Sequence, residues 1–292
     1  MECETLRAGC KVNLTLWITA VRPNGWHELD SFFYPLNEPH DELVLTPSVE
    51  PGLHVRCEVP DIDPDDNTLT KAYAAFAART GFAPGLDLAL RKGVPHGMGL
   101  GGGSADAAAL LLWLNKQAPE ALSEAELESL ALGVGADVPF FLHDRPCRST
   151  GLGEVMEAVD LPLDRFLVLV CPAVHVSTPW AYKAFDAHMA EERAGEMFLT
   201  GSGSQAIRLA SIGAGMPRHD LMINDFEPIV LAAHPLVRRC KERLLRNGAA
   251  AAVMSGSGAA VLGVFRSKDA AEYARCEAAR DPIIGAYVHG PA

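Results

Sequence analysis

Gly97-Met-Gly-Leu-Gly-Gly-Gly-Ser-Ala-Asp106 is the most informative segment of this chain, because its glycines lead directly into an alanine- and leucine-rich stretch, residues 107–115, that lacks a helix breaker. Glycine has no Cβ, so a polyanion can approach such a loop closely. The helix behind it begins with unpaired N–H groups and the positive end of its dipole. The segment therefore predicts an anion site, most often one for phosphate. The alternative is a flexible linker or a tight turn.

The spacing of the glycines narrows the class of nucleotide site. No Gly-Lys-Ser/Thr follows at Walker spacing, which excludes an ordinary P-loop. Glycines 97, 99 and 102 fit the Gly-x-Gly-x-x-Gly of a dinucleotide fold, and a strand-like segment, residues 86–91, precedes them. However, residues 92–96 intervene, and no partner strand with a terminal acid follows the helix. A dinucleotide site is only weakly indicated.

Composition sets outer limits on the function. The chain has 292 residues, 49% of them hydrophobic, and a net charge of −12 without any basic run. This balance argues against binding to nucleic acid or to an anionic membrane surface. The seven cysteines are spread out without a Cys-x-x-Cys pair, which is typical of reduced thiols. With no secretory segment and no apolar run of membrane-spanning length, we expect a cytoplasmic protein.

Hydrophobic periodicity predicts a mixed α/β (α+β) chain of two domains, residues 1–160 and 161–292. In the first domain we expect strands at 12–19, 29–36, 42–46, 53–59 and 86–91, and helices at 67–79, 107–115 and 123–132. In the second we expect strands at 166–171, 250–254, 260–265 and 283–288, helices at 178–189, 224–232, 235–246 and 268–279, and helix plus loop over 191–215. Asn67 and Ser123, the latter with Glu126, are the predicted helix caps.

Asp137 is a candidate catalytic carboxylate, because it lies between Gly135-Ala136 and a Val-Pro-aromatic segment where it would be partly desolvated. The local pattern alone favours a helix N-cap by about two to one. One residue can serve as both cap and base. Lys11 and Asn13 share one face of the first strand, although a lysine there is usually an exposed edge residue.

Trp26-His27 follows the Asn24-Gly25 turn and could stack on and hydrogen-bond a heterocyclic base. A surface turn with an incidental histidine is the simpler interpretation. Ser255-Gly-Ser-Gly258 could form a second glycine-rich turn near phosphate, but a bare tetrapeptide is a weak signal.

The order of these motifs resembles the GHMP kinase superfamily from about Gly9 to Phe265. The matching segments are 9–14, 24–29, 95–108, 135–141, 224–228 and 254–259. The Lys-x-Asn-Leu, Gly-aromatic-His-Glu-Leu and Gly-Ala-Asp-Val-Pro-Phe-Phe motifs resemble the branch that phosphorylates 4-diphosphocytidyl-2-C-methyl-D-erythritol. The same motifs separate it from homoserine, mevalonate and galactose kinases.

The resemblance implies an N-terminal domain of the ribosomal-S5-domain-2-like fold with a left-handed crossover, and a ferredoxin-like C-terminal domain. It places the ATP phosphates against a helix that begins near Ser104, in a loop made of Pro95, His96, Gly97, Met98, Gly99, Leu100, Gly101, Gly102, Gly103, Ser104 and Ala105. Mg²⁺ would accompany ATP, with no ligand assigned. A monomer or a homodimer is expected.

By the same resemblance, Asp137 is the general base and Lys11 its neighbouring cation. The γ-phosphoryl group would pass to the 2-hydroxyl of a small cytidine diphosphate substrate, in the non-mevalonate route to isoprenoids. His27 would hydrogen-bond the cytosine edge, and Asn13 would help hold the substrate or the base. The aromatic neighbours of His27 would be Trp26, Phe33 and Tyr182.

The chain departs from the family pattern at three places. Trp26 stands where tyrosine is usual, Cys10 replaces an alanine, and Ala105-Asp106 replaces Ser-Asn. Asp106 would either bind Mg²⁺ or cap the helix, and we expect the cap. Two alternatives to the assignment are another GHMP small-molecule kinase, of the homoserine or mevalonate type, and a non-catalytic nucleotide-binding relative. A Rossmann oxidoreductase comes third.

Overall fold

The computed structural model describes residues 2–60, 62–162, 164–196 and 222–291. Within these ranges the chain forms ten strands and eight helices. The strands are β1 (Glu4–Val21), β2 (His27–Pro47), β3 (Leu53–Cys57), β4 (Leu86–Arg91), β5 (Cys147–Gly151), β6 (Val155–Ala158), β7 (Phe166–Pro172), β8 (Ala251–Met254), β9 (Val261–Phe265) and β10 (Ile284–His289). The helices are α1 (Thr68–Thr80), α2 (Gly102–Gln117), α3 (Glu124–Val134), α4 (Val138–His143), α5 (Thr178–Glu196), α6 (Glu227–Ala233), α7 (Pro235–Arg246) and α8 (Lys268–Ala278).

The first sheet is organised around the long strand β2. Antiparallel β1 pairs with β2 over nearly its whole length. On its other side, β2 pairs with β5 near its start and with β4 near its end, and the sheet continues to β6 and β3. Since β3 and β4 are parallel, their connection has to cross over, and it carries α1.

The second sheet is antiparallel, with the strand order β10-β7-β9-β8. Helices α5–α7 lie between β7 and β8 in sequence, and α8 lies between β9 and β10. This β-α-β-β-α-β succession with its strand order is that of a ferredoxin-like unit. The predicted mixed α/β class is confirmed.

Three apolar clusters hold these layers together. One packs α1–α4 on the first sheet, and a second packs the helices that follow β7 on the second sheet. The third lies between the two sheets, where Val12 and Phe32 meet Leu167 and Leu262. Because this third cluster is fully apolar and buried, it fixes the two sheets against each other and so brings their loops together. No helix among the described residues combines the length and apolar character that a membrane crossing requires.

Local sequence signals located the helices better than the strands. Asn67 caps α1 and Ser123 caps α3 through capping boxes, as predicted. The strands predicted at 29–36 and 42–46 are one strand, because pairing with β1 keeps the polar segment between them extended. The helix predicted from residue 224 begins at Glu227. Most of the helix plus loop expected for 191–215 lies outside the described residues.

Candidate active site

The glycine-rich loop joins β4 to α2. Gly101, in the left-handed conformation, precedes the first helical residue, Gly102, so the helix begins two residues before the expected Ser104. Leu100 is buried between the sheets and its carbonyl accepts a hydrogen bond from the Lys11 N–H at 2.8 Å. In the described part of the chain, no hydrogen bond within the protein uses the backbone N–H groups of residues 97–103. These groups, at the positive end of a helix, form a donor set suited to phosphate oxygens.

The remaining residues predicted for this loop serve as its frame. Met98 packs on the apolar cluster between the two sheets, and Ala105 lies in the cluster between α1–α4 and the first sheet. His96 and Gly103 are exposed. Pro95 and Ser104 are partly exposed, and Ser104 donates its N–H to the Gly101 carbonyl. The exposed glycine end of the loop is therefore the part that a ligand can approach.

A second glycine turn, residues 255–258, packs against the first. Gly99 has a φ of +74°, and a Cβ there would lie 2.7 Å from the Ser255 carbonyl oxygen. Asn224 holds this turn, because its amide donates to the carbonyls of Met254 and Gly256, each at 2.7 Å. Asn224 lies in one of the family-like segments, 224–228, but the sequence alone indicates no role for it. Its partners lie about thirty positions away, so only the fold reveals the clamp.

Lys11 and Asp137 meet beside the loop. Lys11 Nζ lies 3.8 Å from Asp137 Oδ2; the lysine side chain is only 6% exposed and the aspartate 34%. The ammonium also lies 4.4 Å from the centroid of the Phe33 ring, at a distance that allows a cation–π interaction. The lysine is thus a buried cation and the carboxylate is accessible. The expectation of an exposed edge lysine is wrong.

Asn13 connects this pair to the two sheets. Lys11 Nζ donates to Asn13 Oδ1 at 2.7 Å, and Asn13 Nδ2 donates to Ser31 Oγ at 2.7 Å. The Asn13 backbone N–H donates to Ser255 Oγ at 3.0 Å. All four residues are buried. Since a buried amide with both ends bonded has one orientation, Asn13 fixes the position of the lysine ammonium.

Asp137 occupies the N-cap position of α4, but its side chain makes no capping hydrogen bond. The cap interpretation that the local pattern favoured is wrong, because the carboxylate faces Lys11 instead. Its charge also reaches Tyr182: burial, and secondarily Asp137, raises the pKa of the Tyr182 hydroxyl. Asp137 and Tyr182 therefore lie near enough for the carboxylate to affect the hydroxyl.

His27 is the centre of an aromatic group. Its ring lies 4.6 Å from the Tyr182 ring and 6.2 Å from the Phe185 ring, centroid to centroid. Its Nε2 lies 2.7 Å from Asp186 Oδ1. Trp26, next to it at the end of the β1–β2 hairpin, is 61% exposed. An exposed indole beside a buried imidazole suits stacking on one side and hydrogen bonding at an edge.

Phe33 does not join this group. It lies six residues beyond His27 on β2, a spacing of about 20 Å along a strand. It is 5% exposed and packs edge-to-face on Phe140, in the apolar cluster between α1–α4 and the first sheet. Its contact with the site is the face it presents to Lys11.

Asp106 does not cap α2. It lies inside the helix, 2% exposed, and accepts a hydrogen bond from Lys92 Nζ at 2.9 Å. The same ammonium contacts the buried Asp41. The Asp41 carboxylate also accepts hydrogen bonds from the backbone N–H groups of Gly93 and Val94. Burial raises the pKa of Asp106 to about 7, against the opposing Lys92 charge. The expected cap is therefore wrong. Asp106 instead joins Lys92 and Asp41 in a buried ionic group, which anchors the start of the glycine loop to β2.

Comparisons with known proteins show which family the chain resembles. The model of the GHMP kinases N terminal domain matches residues 67–145, and that of the GHMP kinases C terminal domain matches residues 202–282. A 4-diphosphocytidyl-2-C-methyl-D-erythritol kinase from Nitratidesulfovibrio vulgaris strain DP4 is 52% identical over 94% of both chains. One with the same name from Solidesulfovibrio magneticus is 48% identical over 94% of this chain and 92% of its own.

Solved structures agree with the sequence relatives. A crystal structure of 4-(cytidine 5'-diphospho)-2C-methyl-D-erythritol kinase superimposes with a TM-score of 0.76 at 29% identity, over 98% of each chain. Homoserine kinase from Cytophaga hutchinsonii shares the fold, with a TM-score of 0.70 at 18% identity over 99% of this chain and 94% of its own. The chain therefore belongs to the 4-diphosphocytidyl-2-C-methyl-D-erythritol kinase family of the GHMP kinases.

Proposed function

We propose that this kinase transfers the γ-phosphoryl group of ATP to the 2-hydroxyl of 4-diphosphocytidyl-2-C-methyl-D-erythritol, in the non-mevalonate route to isoprenoid precursors. The observation that carries the proposal is the Lys11–Asp137 pair at 3.8 Å, beside a glycine loop whose N–H groups make no hydrogen bonds to any described residue. ADP release in the presence of this acceptor tests it.

The loop and α2 supply the positive field for the triphosphate. Backbone N–H groups of residues 97–103 and the helix dipole replace the lysine of a Walker loop. Charge-assisted hydrogen bonds of this kind are worth about 1.5–3 kcal/mol each. Because Gly99 and the second glycine turn are in contact, both sheets define the shape of the loop.

Asp137 takes the proton from the acceptor hydroxyl, and Lys11 stabilises the negative charge that develops on that oxygen. Asn13 keeps the ammonium in place, since one end of its amide is bonded to Lys11 and the other to Ser31. Phosphoryl transfer demands mainly positioning and charge stabilisation from a protein, and these side chains supply both.

His27 and its neighbours form the base site. The histidine hydrogen-bonds the cytosine edge, and Trp26 and Tyr182 provide aromatic surface to the ring. An indole in place of the usual tyrosine keeps the stacking and loses a phenolic hydrogen bond. A homoserine- or mevalonate-type substrate would leave this aromatic surface unused.

Mg²⁺ is the cation proposed to accompany ATP. It prefers phosphate oxygens, water and one or two carboxylates to a cage made by the protein alone. Among the described residues, a group of three potential metal ligands lies on α3 and α4, at Glu124, Glu128 and His143, where the histidine contacts both glutamates. Asp106 is occupied by Lys92, which argues against it as the Mg²⁺ ligand.

Three further proposals concern the whole chain. The division into domains lies near residue 160, between β6 and β7, where the chain passes from the first sheet to the second. A cytoplasmic location is supported by the seven free cysteines. The protein acts as a monomer or homodimer on a small molecule, and its acidic charge opposes binding to nucleic acid or an anionic membrane surface.

A further inference from the structure

Asp186 has no role in the chemistry described so far, yet it contacts the base site directly. Tyr182, Phe185 and Asp186 lie three and four positions apart on α5, so they share one helix face. That face meets His27, whose side chain is 7% exposed, and the Asp186 carboxylate accepts from its Nε2 at 2.7 Å. A carboxylate that is half exposed stays in contact with water while it orients a buried ring.

This contact selects the tautomer of His27. An ionised carboxylate has no proton to donate, so the Nε2 that faces it must carry the hydrogen. In the neutral imidazole, Nδ1 is then an acceptor with an available lone pair. Among the described residues, Nδ1 has no hydrogen-bond partner, and it is not one of the polar atoms sealed from solvent. Nδ1 is therefore the ring nitrogen that a ligand can reach.

We infer that Asp186 is a specificity-determining residue, which selects cytosine over uracil by holding His27 with Nδ1 as a hydrogen-bond acceptor. The inference rests on the proposed function, which places a pyrimidine at His27. Cytosine presents an exocyclic amine, a donor, at the position where uracil presents a carbonyl oxygen, an acceptor. The His27 Nδ1 lone pair can accept a hydrogen bond from the cytosine amine. Against uracil, the same lone pair would face the lone pairs of the carbonyl oxygen and be repelled. Asp186 acts through His27 and touches no reacting atom.

The test replaces the carboxylate with an amide of the same shape. In Asp186→Asn the side-chain NH₂ can donate to Nε2, which permits the tautomer with hydrogen on Nδ1. At about pH 8, where histidine is ordinarily neutral, we expect the preference in kcat/KM for the cytidine substrate over its uridine analogue to fall about tenfold. The change lies in KM, and kcat with the cytidine substrate stays within about twofold. Asp164→Asn, an exposed carboxylate outside the site, is the matched control and keeps the preference.

Two measurements separate this inference from the proposed function. Calorimetric binding of CDP and UDP needs no turnover, and the CDP preference should weaken in Asp186→Asn. The ¹⁵N spectrum of the His27 ring, assigned by its loss in His27→Gln, should show hydrogen on Nε2 in the wild type and a shift toward Nδ1 in the variant. An unchanged tautomer, or an equal loss of affinity for both nucleotides, overturns the inference. A wild type that binds CDP selectively but transfers no phosphate rejects the proposed function alone.

Discussion

Lys11 Nζ lies 3.8 Å from Asp137 Oδ2, with the lysine buried and one third of the aspartate side chain exposed. The short hydrogen bond of the lysine, at 2.7 Å, goes to Asn13. The Asp137 carboxylate is therefore held by charge and not by a tight hydrogen bond. A proton taken up by Asp137 would therefore cost no structural hydrogen bond, which supports its proposed role as the base. An accessible carboxylate beside a fixed cation is the arrangement that the proposed proton transfer requires.

Asp137→Asn should lower kcat by about 10²–10⁴-fold, because the amide keeps the shape of the side chain but cannot accept the proton. The KM for ATP should change by less than about threefold, since in the proposed mechanism the glycine loop, and not Asp137, holds the phosphates. Steady-state ADP release measures both constants.

The matched control is Asp144→Asn, at the other end of α4. Asp144 has a φ of +47°, a conformation that asparagine also tolerates. It should keep wild-type turnover. Unchanged turnover in Asp137→Asn would remove that residue from the role of base.

Gly99→Ala should raise the KM for ATP by about tenfold or more, because a Cβ at this left-handed position would lie 2.7 Å from the Ser255 carbonyl oxygen. The two glycine turns would have to separate, which displaces the N–H groups meant for phosphate. Titration with ATP at saturating acceptor measures the change.

Gly133→Ala is the control for this substitution. Gly133 lies in α3 with nothing within 4 Å of the added methyl group. Alanine there should leave catalysis unchanged and stabilise the protein by about 0.5–1 kcal/mol. Equal ATP affinity in the Gly99 variant would mean that the contact between the turns does not shape the nucleotide site.

Lys92→Met should destabilise the protein by about 3–5 kcal/mol, because it leaves the buried Asp41 carboxylate without its cation and removes the hydrogen bond to Asp106. The free energy of unfolding from urea titration measures the loss. Lys71→Met, which breaks the exposed pair with Asp66, should cost less than about 1 kcal/mol. If Lys92→Met lowered the free energy of unfolding by less than about 1 kcal/mol, the buried group of Lys92, Asp41 and Asp106 could not be an important contributor to stability.

Asp106→Asn should become more stable relative to the wild type as the pH rises from about 4 to about 7. Burial raises the pKa of Asp106 from 3.8 to about 7, so the folded wild type binds a proton that the unfolded chain releases in this window. Its stability therefore falls as pH rises, and asparagine removes that dependence. The relative gain should reach at least about 1 kcal/mol.

Thermal unfolding across this pH range checks the sign of the effect, with the exposed Asp164→Asn as the flat control. A difference that is constant with pH, or that grows as the pH falls, would contradict the assignment of a protonated Asp106.

Local chemistry in the sequence was enough for some parts of the fold and not for others. The caps of α1 and α3 could be predicted because a capping box involves only neighbours in sequence. Asp106 was misassigned because its partner Lys92 lies on the far side of the glycine loop. The residue at the N-cap position is Gly101, which has no side chain to signal a cap.

The site follows the same rule. The glycine loop is contiguous, so its place before a helix could be predicted from the sequence, and phosphate binding there stays a prediction. The roles of Asn224 and Asp186 could not be predicted, because their partners come from distant segments that only the packed sheets bring together. Phe33 was placed with His27 by resemblance, yet strand geometry separates them.

The most direct test of the kinase assignment is ADP release by the wild type with a panel of acceptors at saturating ATP. We expect turnover with 4-diphosphocytidyl-2-C-methyl-D-erythritol, a new phosphomonoester on the 2-hydroxyl by ³¹P NMR, and negligible rates with homoserine or mevalonate. Faster turnover with either of those acceptors, or binding of ATP and the cytidyl substrate without release of ADP, would contradict it.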